Sequence, residues 1–259
     1  MQTFDMHSPS ASQRSMDEFV EAPTEFRSLY RVGAVAAVMI VACILLAIPI
    51  FLLWPPPGGL LPTPAAVIDC FTLLQRNWLV GLLDLDLVMI ASAVLGVPIY
   101  LALYASLRRT SPSFMAIALV LGLVGTAAYM VVNPAFSMLS LSTHYAAATS
   151  DAQRSLFVAA GQAILATYQG TGFDLYYLLG AVATLITSVV MRRSTIFGKA
   201  TAYLGIAAGL LMIVPPTAGT IGLYLSLLSL LPAAIWYILI ARRLFQFGQR
   251  VSKKEAKQN

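Results

Sequence analysis

Charged side chains are scarce in this sequence. Only 10% of its 259 residues are Asp, Glu, Lys or Arg, whereas 59% are hydrophobic. A soluble domain carries about 25% charged residues, so this composition excludes a soluble enzyme, a disordered chain and a nucleic-acid-binding protein. The net charge of +5 is not grouped into a patch that would bind nucleic acid. The composition therefore predicts a multi-span membrane protein of the all-α class.

Cysteine and histidine are also nearly absent, with two of each. Cys43 falls in a predicted span and Cys70 in an outer loop, so no disulfide between them is expected. His7 and His144 fall on opposite sides of the membrane, and no His, Cys, Asp and Glu residues have metal-ligand spacing. We predict no metal, no cofactor and no catalytic residue. These absences favour a non-enzymatic protein, with an enzyme as the remaining alternative.

Six apolar stretches are candidates to cross a membrane as helices, which takes about 20 residues each. The fifth is the shortest and stops at Pro215-Pro216, where the chain is expected to return tightly over residues 217–220. The predicted spans are 32–54, 78–107, 114–139, 173–191, 200–214 and 221–240. The predicted fold is thus an all-α polytopic bundle of six transmembrane helices.

Basic residues lie almost entirely on one side of this six-span bundle. All of the 16 Lys and Arg residues except Arg76 and Arg154 fall on the side that holds both termini. The positive-inside rule places that side in the cytoplasm. Residues 1–31 then form a cytoplasmic tail, in which the Ser15–Glu18 spacing of a capping box predicts a short interfacial helix. Residues 32–240 form the membrane domain, and 241–259 form a basic cytoplasmic tail.

Two outer links, 55–77 and 140–172, are long, and each carries the signals of an amphipathic helix. In the first, Thr63-Pro64 is a helix cap followed by proline. In the second, Ser150 and Gln153 have capping-box spacing, and Gly170-Thr171-Gly172 is expected to end the helix. The faces predicted to pack are Val67, Phe71 and Leu74 in the first helix and Leu156, Ala160, Ala163 and Thr167 in the second.

Acidic residues within predicted spans are the candidates for function, because a charge at mid-helix costs about 2.5–3.5 kcal/mol. Three aspartates, Asp84, Asp86 and Asp174, fall within predicted spans. Counting residues along each helix from the arginines at its other end places all three near the outer boundary, at the level of Asn133. Pro134 is expected to kink the third span there. We predict a polar vestibule that opens outward. Its candidate ligand-binding residues are Asp84, Asp86, Asn133, Asp174, Tyr176 and Tyr177.

Asp84 and Asp86 are about 200° apart around a helix, so they do not form a carboxylate pair on one face. Asp86 is expected to face the bundle interior. The alternative role for the aspartates is solvation of helix ends, with pairing to Arg76 or Arg154. Elsewhere, the Gly205–Gly209 spacing allows close helix packing, either within the chain or as a dimer face.

Three segments resemble a bacterial multi-span membrane family, the domain-of-unknown-function family 4386. They are residues 193–206 (RSTIFGKATAYLGI), residues 235–245 (IWYILIARRLF) and the second span from 86–88 (DLV) to 100–104 (YLALY). The resemblance covers roughly residues 29–247. It implies a six-span, multi-pass protein of the bacterial inner (cell) membrane. It brings no activity and no functional residues.

Three functions are consistent with these features. The first is binding of a lipid or small apolar molecule in the vestibule, for sensing or transport. The second is a structural or partner-dependent membrane subunit, either in a homo-oligomer or with another membrane protein. The third is an enzyme acting on lipid at the outer interface through Asp86 and Asp174. A secondary transporter is disfavoured, because the sequence indicates no mid-membrane ion pair and no pair of broken helices.

Overall fold

The computed structural model describes residues 26–53 and 60–258, with side chains for 26–50 and 60–249. This part of the chain contains ten α-helices and no strand. The predicted Ser15–Glu18 helix lies outside it. The helices are α1 (Arg27–Leu53), α2 (Pro64–Arg76), α3 (Trp78–Asp84), α4 (Leu87–Leu107), α5 (Pro112–Val132), α6 (Ala135–Ala147), α7 (Asp151–Thr167), α8 (Phe173–Arg193), α9 (Lys199–Leu211) and α10 (Thr220–Gln258).

Five helical stretches in the described residues are long and apolar enough to cross a membrane. They are Arg27–Ile50, Leu87–Leu107, Pro112–Ala147, Asp151–Arg193 and Thr220–Gln249. The all-α class is therefore confirmed, with five candidate membrane-spanning helices. Helix α9 has 13 residues, about 20 Å of helix. It ends before the predicted 200–214 span does, because residues ahead of Pro215-Pro216 are pushed out of the helical conformation. The tight return follows, with a 3₁₀ turn at Pro216–Ala218.

Three of the long helical segments are interrupted near one end of the bundle. The predicted second span, 78–107, breaks between α3 and α4, where Asp86 has φ 65°. The predicted kink at Pro134 is confirmed, since α5 ends at Val132 and α6 begins at Ala135. Between α7 and α8 the chain bends at Gly170 within a π-helical turn and continues as helix. The sequence indicates no pair of broken helices, and the breaks at Asp86 and Pro134 show that this expectation is wrong. The predicted helix end at Gly170-Thr171-Gly172 is confirmed, since α7 ends at Thr167 and Gly170 is non-helical.

The helices pack around two apolar cores at opposite ends of the bundle. The first includes Tyr30, Leu107, Met191 and Leu244. At this end the Arg108 guanidinium lies 4.9 Å from the centre of the Phe26 ring. We call it the basic end; it holds the arginines that follow α4 and end α8.

The second core is formed by α2, α3 and α6–α8 with parts of α4 and α5, and includes Phe71, Leu85, Tyr129 and Leu165. We call this the acidic end, because every aspartate in the described residues belongs to it: Asp69, Asp84, Asp86, Asp151 and Asp174.

Helix α9 runs antiparallel to α8 and contacts α10. A Cβ added at Gly205 would overlap the Ser188 hydroxyl and lie 2.5 Å from Trp236 Nε1. A Cβ added at Gly209 would lie 2.7 Å from Leu185. The Gly205–Gly209 stripe therefore serves packing within this chain. Beyond α9, the Thr217 hydroxyl bonds the Asp174 carboxylate at the start of α8, so the segment 199–217 follows α8 over its whole length.

Helices α2 and α7 form the outer layer of the acidic end. Their predicted caps are confirmed, since Thr63 Oγ1 accepts from Ala66 N at 3.3 Å and Ser150 Oγ accepts from Gln153 N at 3.3 Å. The predicted packing face of α2 is buried.

The packing face predicted for α7 is wrong, because its first residue, Leu156, is 70% exposed. Gly161 and Leu165 are buried instead. A Cβ at Gly161 would lie 2.6 Å from Val67 Cγ1, so this glycine allows the close approach that sets the rotation of α7.

Candidate functional site

Asp86 occupies the break between α3 and α4 in a left-handed conformation. A short polar side chain tolerates this conformation better than most residues with a Cβ do. Its backbone carbonyl accepts from Met89 N and Ile90 N, both at 3.0 Å, and so begins α4. Its carboxylate makes no capping bond with that helix and instead accepts a hydrogen bond from the Tyr168 hydroxyl. The break thus directs the carboxylate toward the turn between α7 and α8.

Asn133 holds the second break, between α5 and α6. Its Nδ2 donates to the Tyr129 hydroxyl at 3.0 Å, and its Oδ1 accepts from Ala135 N at 3.0 Å. One amide therefore satisfies the first N–H of the new helix and fixes the tyrosine one turn earlier. The Tyr129 ring lies 4.8 Å, centre to centre, from Tyr176 on α8.

These residues form a tyrosine cluster, which we define as Tyr129, Tyr168, Tyr176 and Tyr177 around Phe173. The Phe173 ring lies 5.3 Å from Tyr168, 5.5 Å from Tyr177 and 6.2 Å from Tyr129. The Tyr177 hydroxyl shares a hydrogen bond with Ser226 on α10. Most of these rings are buried, so aromatic side chains fill the space in which the sequence predicts an open vestibule.

Asp84 lies apart from this cluster, on α3 beside Cys70. It is 7% exposed, and its Oδ1 has no hydrogen-bond partner among the described residues. Burial raises the pKa of the Asp84 carboxyl. Burial first, and then the charges of Asp84 and Asp69, raise the pKa of the Cys70 thiol to about 12. Cys70 is therefore a neutral packing residue, not a reactive thiolate.

Asp174 has a third environment. Its carboxylate accepts from Thr217 on the return between α9 and α10. The predicted pairing of aspartates with arginine fails for Asp86 and Asp174, whose partners are hydroxyls, and Arg154 instead lies 3.9 Å from Asp151. Of the predicted site residues, the structure brings together Asp86, Asn133, Tyr176 and Tyr177, and it leaves Asp84 and Asp174 outside.

Two members of the site are missing from the sequence-based set. Tyr129 lies four residues before Asn133 and therefore on the same helix face, a spacing that would have identified it. Tyr168 gives no such signal, because no spacing in the sequence relates it to Asp86, which lies 82 residues earlier.

Chemically, the site offers one carboxylate, several phenol groups and one amide, surrounded by apolar residues. A carboxylate accepts strong hydrogen bonds from cationic or neutral donors, and tyrosine faces attract cations. No group of three or more His, Cys, Asp or Glu residues able to hold a metal occurs in the described part of the chain.

Comparison with protein families gives one finding. The model of the domain-of-unknown-function family DUF4386 matches residues 76–248. The match covers more than half of the chain, so the protein belongs to this family. It begins at residue 76, later than the resemblance to the family indicated. Comparisons with curated proteins and with solved structures find no match.

Proposed function

We propose that this DUF4386 protein binds a lipid or small apolar molecule at the acidic end of its bundle, for sensing or transport. The observation that carries the proposal is the Asp86–Tyr168 hydrogen bond at the level where three helical segments are interrupted. Within a membrane, helix interruptions are tolerated only where the freed polar groups find partners in the protein or line a cavity. In transporters such interruptions form the binding site.

The chemistry of the cluster defines the ligand class. An apolar body would replace ring contacts around Phe173, and a hydroxyl or cationic group would donate to the Asp86 carboxylate in place of the Tyr168 hydroxyl. The buried rings occupy this space, so entry of a ligand requires the outer layer to move. Helix α7 joins α8 through the non-helical Gly170, and we infer that α7 turns about this break.

The proposal includes six membrane crossings, with α9 and the return after it as the fifth. Contacts of Gly205, Gly209 and Thr217 along α8 support this count, because α8 is itself part of a membrane-spanning stretch. Six crossings place both termini at the basic end, which the positive-inside rule assigns to the cytoplasm of a bacterial cell.

Cysteine labelling tests the crossing by α9. In a background of Cys43→Ala and Cys70→Ala, an impermeant maleimide should label Ala218→Cys in intact spheroplasts. Lys199→Cys should react only after lysis. Both positions are exposed, so burial does not prevent the reaction. Labelling of both from the same side would show that α9 turns back within the membrane.

The binding proposal is tested by native mass spectrometry of the chain released in mild detergent from its own membrane. The wild type should carry a discrete added mass of a lipid or small molecule. Asp86→Asn should lose it, because the charge is removed while the side chain keeps its size and its tolerance of the left-handed conformation. Asp174→Asn is the matched control and should retain the mass. An unliganded wild-type chain, or equal loss in both variants, would contradict the proposal.

A second candidate is a partner-dependent membrane subunit. Trp78 and Leu79, at the start of α3, are 59% and 47% exposed at the acidic end. Tryptophan is enriched at protein interfaces. An additional protein mass in the same spectra, lost in Trp78→Ser, would favour this function.

A further inference from the structure

A separate cavity lies at the basic end, where α9 begins against α10. Its volume is about 290 Å³, near the lower limit of about 300 Å³ for small-molecule sites. Its polar lining consists of Thr201, Arg242, Arg243 and Gln246, and its apolar wall includes Phe197 and Leu239. It lies at the opposite end of the bundle from the tyrosine cluster, so it is independent of the function proposed above.

Two of the polar side chains are held in place by the protein. Arg243 Nε donates to the Ile196 carbonyl at 2.5 Å, and its Nη1 donates to Gln246 Oε1 at 3.0 Å. The acceptor oxygen of Gln246 is therefore used, and its amide N–H groups are left to donate. Arg243 likewise keeps further guanidinium N–H groups available.

Thr201 supplies an independent observation. It is 6% exposed and lines the cavity, so a ligand in the cavity would lie against it. Its hydroxyl is a donor that a phosphate oxygen would accept. Thr201 also stands in the first turn of α9, whose N-cap Gly198 makes no side-chain capping bond. The first N–H groups of a helix without a side-chain cap favour an anion.

Among the described side chains, none near these donors carries a negative charge. Every aspartate with a described side chain lies at the acidic end, as defined above. The described polar side chains around the cavity therefore present hydrogen-bond donors, including two guanidinium groups. A site with this composition selects an anion, and planar guanidinium groups match the oxygen geometry of phosphate.

We propose that this cavity binds a phosphate group. The apolar wall of Phe197 and Leu239 suits the glycerol and acyl part of an anionic phospholipid, and free inorganic phosphate would use the same donors. Arg242 supplies charge from the rim, where it is exposed, while Arg243, Gln246 and Thr201 orient the oxygens from within.

The experiment titrates the purified full chain with phosphatidylglycerol or phosphatidylcholine and measures the first bound lipid by native mass spectrometry. We expect tighter binding of phosphatidylglycerol. Arg242→Gln should weaken it about tenfold, the equivalent of about 1.4 kcal/mol. Thr201→Val keeps every charge and the side-chain shape, and should weaken binding about threefold through the lost hydroxyl. Arg192→Gln removes an exposed arginine at the same end outside the cavity and should change binding less than twofold.

Inorganic phosphate in the same titration identifies the source of the group. Displacement of phosphatidylglycerol by millimolar phosphate supports a site for free phosphate, and its failure supports a lipid headgroup site. Equal weakening by Arg242→Gln and Arg192→Gln, with no effect of Thr201→Val, would overturn the proposal, since diffuse surface charge would then account for binding. Equal affinity for the two lipids would also overturn it.

Discussion

Substitutions at position 86 should separate the cost of backbone conformation from that of a side-chain hydrogen bond. Asp86 has φ 65° and accepts from Tyr168. Asp86→Ala loses the acceptor and keeps a Cβ in the left-handed region. Asp86→Gly loses the acceptor and relieves the backbone. Asp86→Asn keeps an acceptor oxygen and tolerates the conformation.

The expected losses of unfolding free energy follow from these differences. Leaving the Tyr168 hydroxyl unpaired costs about 1–3 kcal/mol, and a left-handed residue with a Cβ costs about 1–2 kcal/mol. Asp86→Ala should therefore lose about 1–3 kcal/mol, Asp86→Gly about 1–2 kcal/mol less than the alanine variant because its backbone is relieved, and Asp86→Asn less than about 1 kcal/mol. For a chain of this size the loss in Asp86→Ala corresponds to a fall in Tm of roughly 2–12 °C.

The assay is reversible unfolding in mixed micelles of dodecyl maltoside and SDS, followed by tryptophan fluorescence, for which the buried Trp236 is a reporter. In a Tyr168→Phe background the hydrogen-bond part of the loss should vanish, while the difference between the alanine and glycine variants at position 86 should persist. Equal stability of those two variants would refute the left-handed break, and an undiminished loss in the Tyr168→Phe background would refute the hydrogen bond.

Three further changes test other parts of the structure. Gly205→Ala should destabilise the chain by about 1–3 kcal/mol through overlap with Ser188, whereas Gly180→Ala, with no atom within 4 Å of its added Cβ, should be neutral or slightly stabilising in the same unfolding assay. Tyr177→Phe should cost about 1 kcal/mol by removing the bond to α10; no loss would contradict that bond. The pKa of Cys70 is raised on folding from its ordinary value of 9.0 to about 12, so its contribution is complete below pH 9 and lost as the pH rises toward 12, because the unfolded thiol ionises first. Between pH 9 and 11 the wild type should therefore lose about 1.4 kcal/mol per pH unit more than Cys70→Ala, and parallel curves would contradict the burial of the thiol.

Local sequence signals predicted the helix ends and turns that depend on a few neighbouring residues. The caps at Thr63 and Ser150, the break at Pro134 and the return after Pro215 all belong to this class, because proline geometry and capping chemistry act within a few residues. The depth of a residue along its helix was also predictable from the sequence. Counting residues at 1.5 Å each placed Asp86 and Asn133 at the same level.

Features that depend on tertiary packing were not predictable in the same way. No proline or glycine marks the break at Asp86, so the sequence around it indicates a continuous helix. The rotation of α7 depends on the contact of Gly161 with Val67, two residues far apart in the chain. Counting residues gives the depth of a side chain but not the direction in which it points from the helix. For this reason Asp84 and Asp174 were predicted to belong to a site that they do not join.

The non-helical Gly170 separates the rotation of α7 from that of α8. Because α7 ends at Thr167 and Gly170 has ψ −156°, the face that α7 buries is set by its own contacts, such as that of Gly161 with Val67. One residue inserted between Gly161 and Leu165 would turn the first part of α7 by about 100° relative to Leu165, so the two residues would no longer share a face. The same insertion beside Gly170 falls outside α7 and changes no spacing within it. In this protein the spacing of the buried residues within α7, more than the length of the bend, is thus the quantity that a functional variant must keep.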